Sequence, residues 1–234
     1  MLTLMLVGLL LGMRHALEAD HVAAVATLAT RSTSIRDTVR QGVVWGIGHT
    51  LTLLAFGGAV LVMDANIPQG TANALEFAVG VMLVLLGLDV LRRAYRQKTH
   101  FHVHRHTDGV VHFHAHSHAH DPAPHDTESH RHVHAKAFPL RALAVGMMHG
   151  MAGSAALLLL TARAAESVPL GLLQIAVFGV GSMLGMGVLS AVIALPLQGS
   201  VRWTAGAHLA LQWVVGVFTA GLGAVVMVQT AVGS

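Results

Sequence analysis

The chain has 234 residues, of which 54% are hydrophobic and 11% are charged, and its mean hydropathy is +0.64. This composition is typical of a membrane protein and argues against a soluble one. The absence of cysteine excludes disulfides, thiolate metal sites and thiol nucleophiles. The formal net charge is +3. Because the basic residues lie at the ends of apolar segments, where they set topology, we expect no nucleic-acid partner.

Six apolar segments can be drawn, and each is long enough to cross a hydrocarbon core of about 30 Å at 1.5 Å per helical residue. They cover approximately residues 2–28, 39–63, 72–92, 139–162, 168–197 and 206–231. Twelve Lys and Arg residues lie in the connections after segments one, three and five, whereas the opposite side holds only Arg163. The positive-inside rule therefore predicts a multi-pass protein of the cell (inner) membrane with both termini outside.

The first segment contains an ionisable motif at membrane depth. A charge at a helix centre costs about 2.5–3.5 kcal/mol on insertion scales, so this motif indicates a functional site. We predict that His15, Asp20 and His21 form a metal-ligand set. Arg14 and Glu18 are predicted to support this set, and an Arg14–Glu18 ion pair at i,i+4 is the structural alternative.

The spacing of this motif constrains the helix that carries it. In a straight helix, the side chains of His15 and His21 would differ in direction by about 120°. Either the helix is broken around residues 16–19, or other segments close over the site. His49, in the second segment, and His149, in the fourth, are further candidate ligands. The alternative for each is a buried structural histidine that is hydrogen-bonded.

The two halves of the chain resemble each other. Three matches occur in order: residues 12–15 with 146–149, residues 45–48 with 178–181, and residues 75–81 with 211–217. Their offsets are 134, 133 and 136. Because each half holds three crossings, the second half should be inverted relative to the first, as in many transporters. We therefore predict an all-α integral membrane protein of six transmembrane helices, arranged as a 3+3 inverted repeat.

A histidine-rich loop separates the halves. Residues 100–134 contain thirteen of the eighteen histidines, and the low apolar content favours disorder. Histidine alternates strictly with other residues in two runs, which would place the imidazoles on one side of an extended chain. We predict secondary metal ligands at His102, His104, His114, His116 and His118. A polar spacer of biased composition is the alternative.

Three units follow from these patterns. Residues 1–99 form the first three-helix repeat, residues 100–137 form the cytoplasmic histidine-rich loop, and residues 138–234 form the second repeat.

The motif in the first segment resembles the His-x4-Asp-His signature of the nickel/cobalt transporter family. The sequence Gly48-His49-Thr50 resembles that family's second motif. The resemblance implies that His15, Asp20, His21 and His49 recognise nickel or cobalt. The second half is similar to the shorter branch linked to urease accessory membrane proteins. This branch implies that a cytoplasmic nickel chaperone or a urease maturation system is a partner.

We therefore expect transport of divalent nickel, and of cobalt as a second substrate, through a His/Asp site in the membrane, by uptake or efflux. The metal is the transported ion, and we expect no cofactor. The alternative function is a membrane-bound nickel store or metallochaperone that works through the histidine-rich loop. No His-Glu-x-x-His motif is present, so we do not expect an enzyme.

Overall fold

The computed structural model describes residues 2–32, 34–64, 68–96, 100–105, 111–116, 139–151, 167–203 and 205–232. The helices in these ranges are α1 (Leu2–His15), α2 (Ala19–Ala29), α3 (Ile35–Thr52), α4 (Gly58–Val62), α5 (Gln69–Arg96), α6 (Leu140–His149), α7 (Val168–Trp203) and α8 (Ala205–Val232). A π-helical turn, Leu53–Gly57, joins α3 to α4.

Four continuous helical stretches are long and apolar enough to cross a membrane. They are Ile35–Val62, Gln69–Arg96, Val168–Leu197 and Gly206–Val232. The bent pair α1 and α2 makes a fifth candidate span. Of the predicted fourth segment, α6 covers the first part, and residues 152–162 lie outside the described residues. The membrane part of the chain is thus all-α and multi-pass, and the sixth crossing stays a prediction.

The outward faces of the long helices are apolar. On α7, the side chains of Leu184, Val188, Val192 and Leu195 recur every three or four residues and are 48–60% exposed. A stripe of this kind is unfavourable in water but matches lipid tails. This exposure agrees with the hydropathy pattern and indicates that the surface of α7 faces the bilayer.

The first segment is broken where the sequence analysis allowed a break. Helix α1 ends at His15, α2 begins at Ala19, and their axes differ by 58°. Tight i→i+3 hydrogen bonds from the amides of Leu17 and Glu18 end α1. Glu18 then has extended backbone angles at the N-cap of α2. Of the two alternatives that the spacing left open, the structure shows the broken helix.

Glycine contacts establish how the helices run relative to one another. A Cβ atom at Gly12 would meet the backbone of Phe178 and Ser182, and one at Gly185 would meet Met13 and Ala16. Residue numbers rise together in these contacts, so α1 and α7 are parallel. By the same reasoning α3 and α6 are parallel, because a Cβ at Gly48 would meet residues 143 and 147 and one at Gly150 would meet residues 49 and 52.

Two other pairs are antiparallel. On α3 and α7, Gly42 faces Ser190, while the Thr50 hydroxyl donates a 3.0 Å hydrogen bond to the carbonyl of Gly179. On α5 and α8, a Cβ at residue 80 would meet residues 223 and 227, and one at residue 87 would meet residues 216 and 220. Small residues therefore allow close backbone approach along both pairs.

The contact between α5 and α8 leads to a stability prediction. A Cβ at Gly223 would lie 2.6 Å from the carbonyl oxygen of Gly80, whereas nothing lies within 4 Å of a Cβ at Gly221. We expect Gly223→Ala to destabilise the fold by about 1–3 kcal/mol, the range of overpacked cores. Gly221→Ala should stabilise it by up to about 1 kcal/mol, because alanine is the better helix former. Thermal unfolding in one detergent compares the two variants, and equal shifts in Tm would contradict this packing.

Part of the predicted loop forms a hairpin, whereas its composition favours disorder. Strand β1 (His100–Arg105) pairs antiparallel with β2 (Val111–His116). The register places three histidine pairs opposite each other: His100 with His116, His102 with His114, and His104 with His112. Strict alternation matches the two-residue repeat of a strand, which explains the pairing. Residues 117–138, including His118, lie outside the described residues.

Candidate metal centre

Four histidines meet at the bend between α1 and α2. His15 is the last residue of α1, and His21 lies in the first turn of α2. His49 lies in the last turn of α3, and His149 ends α6. All four are buried, with relative exposures of 5% or less. The structure thus brings together the four histidines that the sequence predicts inside the membrane.

The imidazole rings are close to one another. The ring centroids of His15 and His21 are 4.4 Å apart, and those of His21 and His149 are 4.8 Å apart. The ring of His49 lies 5.2 Å from that of His15 and 5.4 Å from that of His21. At these distances, small side-chain rotations bring several ring nitrogens toward one point.

Two overlapping groups of residues have a geometry that could hold a metal ion. The first is His15, His21 and His49, and the second is Asp20, His21 and His149. In each group, one ligand atom per residue lies within 4.8 Å of the others. His21 belongs to both groups, so it is the central residue of the candidate centre.

Two carboxylates fix the orientation of two of the rings. Oδ1 of Asp20 accepts a 2.9 Å hydrogen bond from the backbone amide of His21 and lies 2.9 Å from Nδ1 of the same residue. Oε1 of Glu18 lies 2.9 Å from Nδ1 of His15. A carboxylate on one ring nitrogen selects the tautomer and directs the other nitrogen to a metal. Nε2 is therefore the nitrogen that His15 and His21 offer to an ion.

Asp20 also reaches the second half of the chain. Its Oδ2 lies 3.4 Å from Nε2 of His149. Asp20 is 27% exposed and lies in the first turn of α2, where the helix dipole favours a negative charge. One carboxylate therefore links the signature motif in the first half to the histidine that matches His15 in the second.

Several buried nitrogens of the centre have unused hydrogen-bonding capacity. Within the described part of the chain, no hydrogen bond reaches Nε2 of His21, either ring nitrogen of His49 or Nδ1 of His149. Buried polar atoms are normally paired, and an unpaired one is costly. Unpaired imidazole nitrogens that face one another are the arrangement expected of a site that binds a cation.

Aromatic side chains cover two sides of the centre, and neither of them is among the site residues predicted from sequence. Trp45 is fully buried and stacks on His21 with a centroid distance of 5.5 Å. It also contacts the ring of His149 edge-on at 5.3 Å. On the other side, Phe178 lies 5.3 Å from His15. The signal for Trp45 was its i,i+4 spacing from His49, which places both residues on one helix face.

The remaining predicted residues lie outside the cluster of buried rings, although Glu18 contacts one of them. Arg14 is on the exposed side of α1, and Glu18 is 50% exposed while its carboxylate contacts His15. The loop histidines His102, His104, His114 and His116 lie in the paired strands.

Most of the chain is similar to a urease accessory protein. No family model matches it, and no solved structure matches it. The chain is 36% identical over 205 residues to the urease accessory protein UreH of Bacillus sp. (strain TB-90). This alignment covers 86% of the chain and 81% of that protein. The chain belongs to the UreH family.

In this UreH-family chain, the donor atoms of the centre restrict which metal ions could bind there. Imidazole nitrogen and carboxylate oxygen suit borderline divalent ions such as nickel, cobalt and zinc, and the chain has no thiolate to offer. One negative charge from Asp20 offsets part of a dication's charge, while neutral imidazoles can replace its water. The centre therefore has the donor atoms and the charge that a divalent ion would need inside the helix bundle.

Proposed function

We propose that this UreH-family protein transports Ni²⁺, with Co²⁺ as a second substrate, through the candidate metal centre. The observation that supports this most directly is the convergence of four buried histidines and Asp20 within a membrane helix bundle. Ionisable groups inside a membrane mark ion pathways because their burial is otherwise unfavourable. The residues of the proposed nickel/cobalt signature, His15, Asp20 and His21, are among those that converge.

We also propose that the two halves form an inverted repeat of three helices each. The close contacts of the two halves correspond: Gly12 lies against Phe178, and its repeat mate Gly146 lies against Trp45, the mate of Phe178. The mates α3 and α7 run antiparallel, as do α5 and α8. An inverted repeat with its site between the halves is the arrangement that supports alternating access.

Transport would proceed by loading and unloading of the centre. The ion exchanges its water for Nε2 of His15 and His21 and for His49, while Asp20 supplies the negative charge. His149 and Asp20 form the adjacent group, so an ion can pass from one group to the other through the shared ligand His21. Rocking of one half against the other would then expose the ion to the opposite side.

A urease accessory role is compatible with this proposal, since the relative UreH carries that description. We propose that the protein is not an enzyme and that it supplies nickel to a urease maturation system or a cytoplasmic chaperone. The paired histidines of the hairpin support a second candidate, in which the loop stores the metal and delivers it.

Metal flux into liposomes that contain the purified full chain tests the transport proposal. We expect saturable Ni²⁺ uptake that is competed by Co²⁺, measured with and without an imposed pH gradient. The His15→Ala/His21→Ala double variant should lose the flux. Unchanged flux in that variant would show that the centre is not the transport site.

Serine substitution of all histidines in residues 100–134 separates transport from storage. A transporter should keep most of its flux without these imidazoles. A store or chaperone should show tight binding without flux in the parent protein, and it should lose delivery of the metal in the variant.

A further inference from the structure

A second cluster of charged residues lies far from the metal centre. Oδ2 of Asp89, on α5, lies 2.5 Å from Nη2 of Arg31 and 3.2 Å from Nη2 of Arg141. Nε of Arg93, one turn further along α5, lies 3.5 Å from the same oxygen. Arg93 also donates a 3.1 Å hydrogen bond to the hydroxyl of Thr30. We call Arg31, Asp89, Arg93 and Arg141 the arginine clamp.

The clamp joins α2 and α6, two of the four helices that carry the centre. Arg31 follows α2, whose first turn contains His21, and Arg141 lies in the first turn of α6, which ends at His149. At 1.5 Å per residue, the clamp is about 15 Å from His21 along α2 and about 12 Å from His149 along α6. One carboxylate on α5 therefore holds the far ends of both helices.

Apolar side chains lie between the clamp and the centre. Val25 and Leu28 of α2, Leu86 of α5, and Ala142 and Val145 of α6 belong to one cluster of buried residues. Each is at most 7% exposed. An ion that moves from the centre toward the clamp would have to separate these side chains, which requires α2 or α6 to move away from α5.

The positions that match the clamp residues in the sequence repeat carry no counterpart of the clamp. By the repeat offsets, the residues that match Arg31, Asp89, Arg93 and Arg141 are Ala165, Val225, Gln229 and Val7. None of these four is charged. An inverted repeat would otherwise make the two access states equivalent, so an ion-pair cluster on one side favours the state that is closed on that side.

We propose that the arginine clamp is the latch of a gate between the metal centre and the face on which the clamp lies, which the Lys and Arg distribution predicts to be cytoplasmic. This inference rests on the proposed transport function. The latch holds α2 and α6 against α5, and it releases when the ion leaves toward that face. Loss of Asp89 removes the shared carboxylate and leaves three guanidinium groups that repel one another, so the gate should open.

Thiol labelling tests the latch, because the natural chain contains no cysteine. Leu28→Cys places one reporter thiol at a position that is 4% exposed, two helical turns from His21 toward the clamp. The full chain in lipid nanodiscs, without metal, is treated with a charged maleimide. We expect Asp89→Asn to increase the labelling rate of this cysteine at least about fivefold, the lower end of typical coupling between two conformations.

Three companion variants make the result interpretable. Glu76→Gln changes an acid on the same helix, outside the clamp, and should leave labelling unchanged. The double variant Arg31→Gln/Arg141→Gln should increase labelling as Asp89→Asn does. It replaces Asp89→Asn as the test of the latch if that variant does not fold. Tyr95→Cys, at a residue that is 79% exposed, should label rapidly in every background and reports that the reagent reaches this face.

The outcomes separate the latch from the transport proposal. The wild-type protein could transport metal while both clamp variants label within about twofold of the parent. That result would contradict the latch proposal and leave the transport proposal intact. If the wild-type protein shows no metal flux, the transport proposal is contradicted. Increased labelling of the clamp variants would then show only that the clamp stabilises one conformation.

Discussion

His21→Ala is expected to abolish metal binding at the centre, with a loss in affinity of more than about 100-fold. Changes in groups that only orient a ligand typically cost about 10–100-fold, and His21 is a candidate ligand itself. It is the residue that both ligand groups share, and its Nε2 is buried and unpaired within the described part of the chain. Its removal therefore disables both groups at once.

Fluorescence of Trp45 can measure this loss without interference from the histidine-rich loop. The indole stacks on His21, so a paramagnetic Ni²⁺ or Co²⁺ ion in the centre should quench it. Trp203→Phe/Trp213→Phe leaves Trp45 as the single tryptophan of the chain. His208→Ala, which changes a histidine of α8, is the matched control. Quenching of the His21→Ala variant at the parent's metal concentration would contradict the assignment.

Asp20→Asn is expected to lower the metal affinity by about 10–100-fold, less than His21→Ala, because Asp20 belongs to one ligand group only and asparagine keeps one oxygen donor. The amide oxygen can still accept from Nδ1 of His21, but the negative charge is lost. The amide nitrogen would then face Nε2 of His149, where it can donate a hydrogen bond and occupy the lone pair that a metal needs. The substitution thus removes the negative charge of the centre and blocks Nε2 of His149 as a ligand.

Glu18→Gln provides the comparison for Asp20→Asn. Glu18 is 50% exposed and contacts only His15 among the residues of the centre for which a contact is described. Glutamine keeps an acceptor oxygen for Nδ1 of His15, so we expect a smaller loss of affinity. Trp45 quenching titrations of both variants, together with their Tm values, measure this difference. Equal losses would show that the two carboxylates have the same role and that the link to His149 is unimportant.

Much of the membrane architecture could be predicted from local sequence. Hydropathy placed long segments where α5, α7 and α8 occur, because the transfer free energy of a helix depends mainly on its own residues. Periodicity left two alternatives for the first segment, a break or closure by other segments, because a straight helix cannot direct His15 and His21 to one point. The structure shows the break after His15. The alternation of histidine in residues 100–116 likewise contained the strand pattern, although composition favoured disorder.

The sequence by itself determined a membrane protein with an ionisable motif in its first segment and candidate ligands at His49 and His149. Only the tertiary structure decided that His15, His49 and His149 each lie in contact with His21, since close helix packing at glycines brings distant segments together. The same holds for Trp45 and for Asp89. The sequence of one apolar helix does not specify which of its residues contact which neighbouring helix, because these contacts depend on how all the helices pack together.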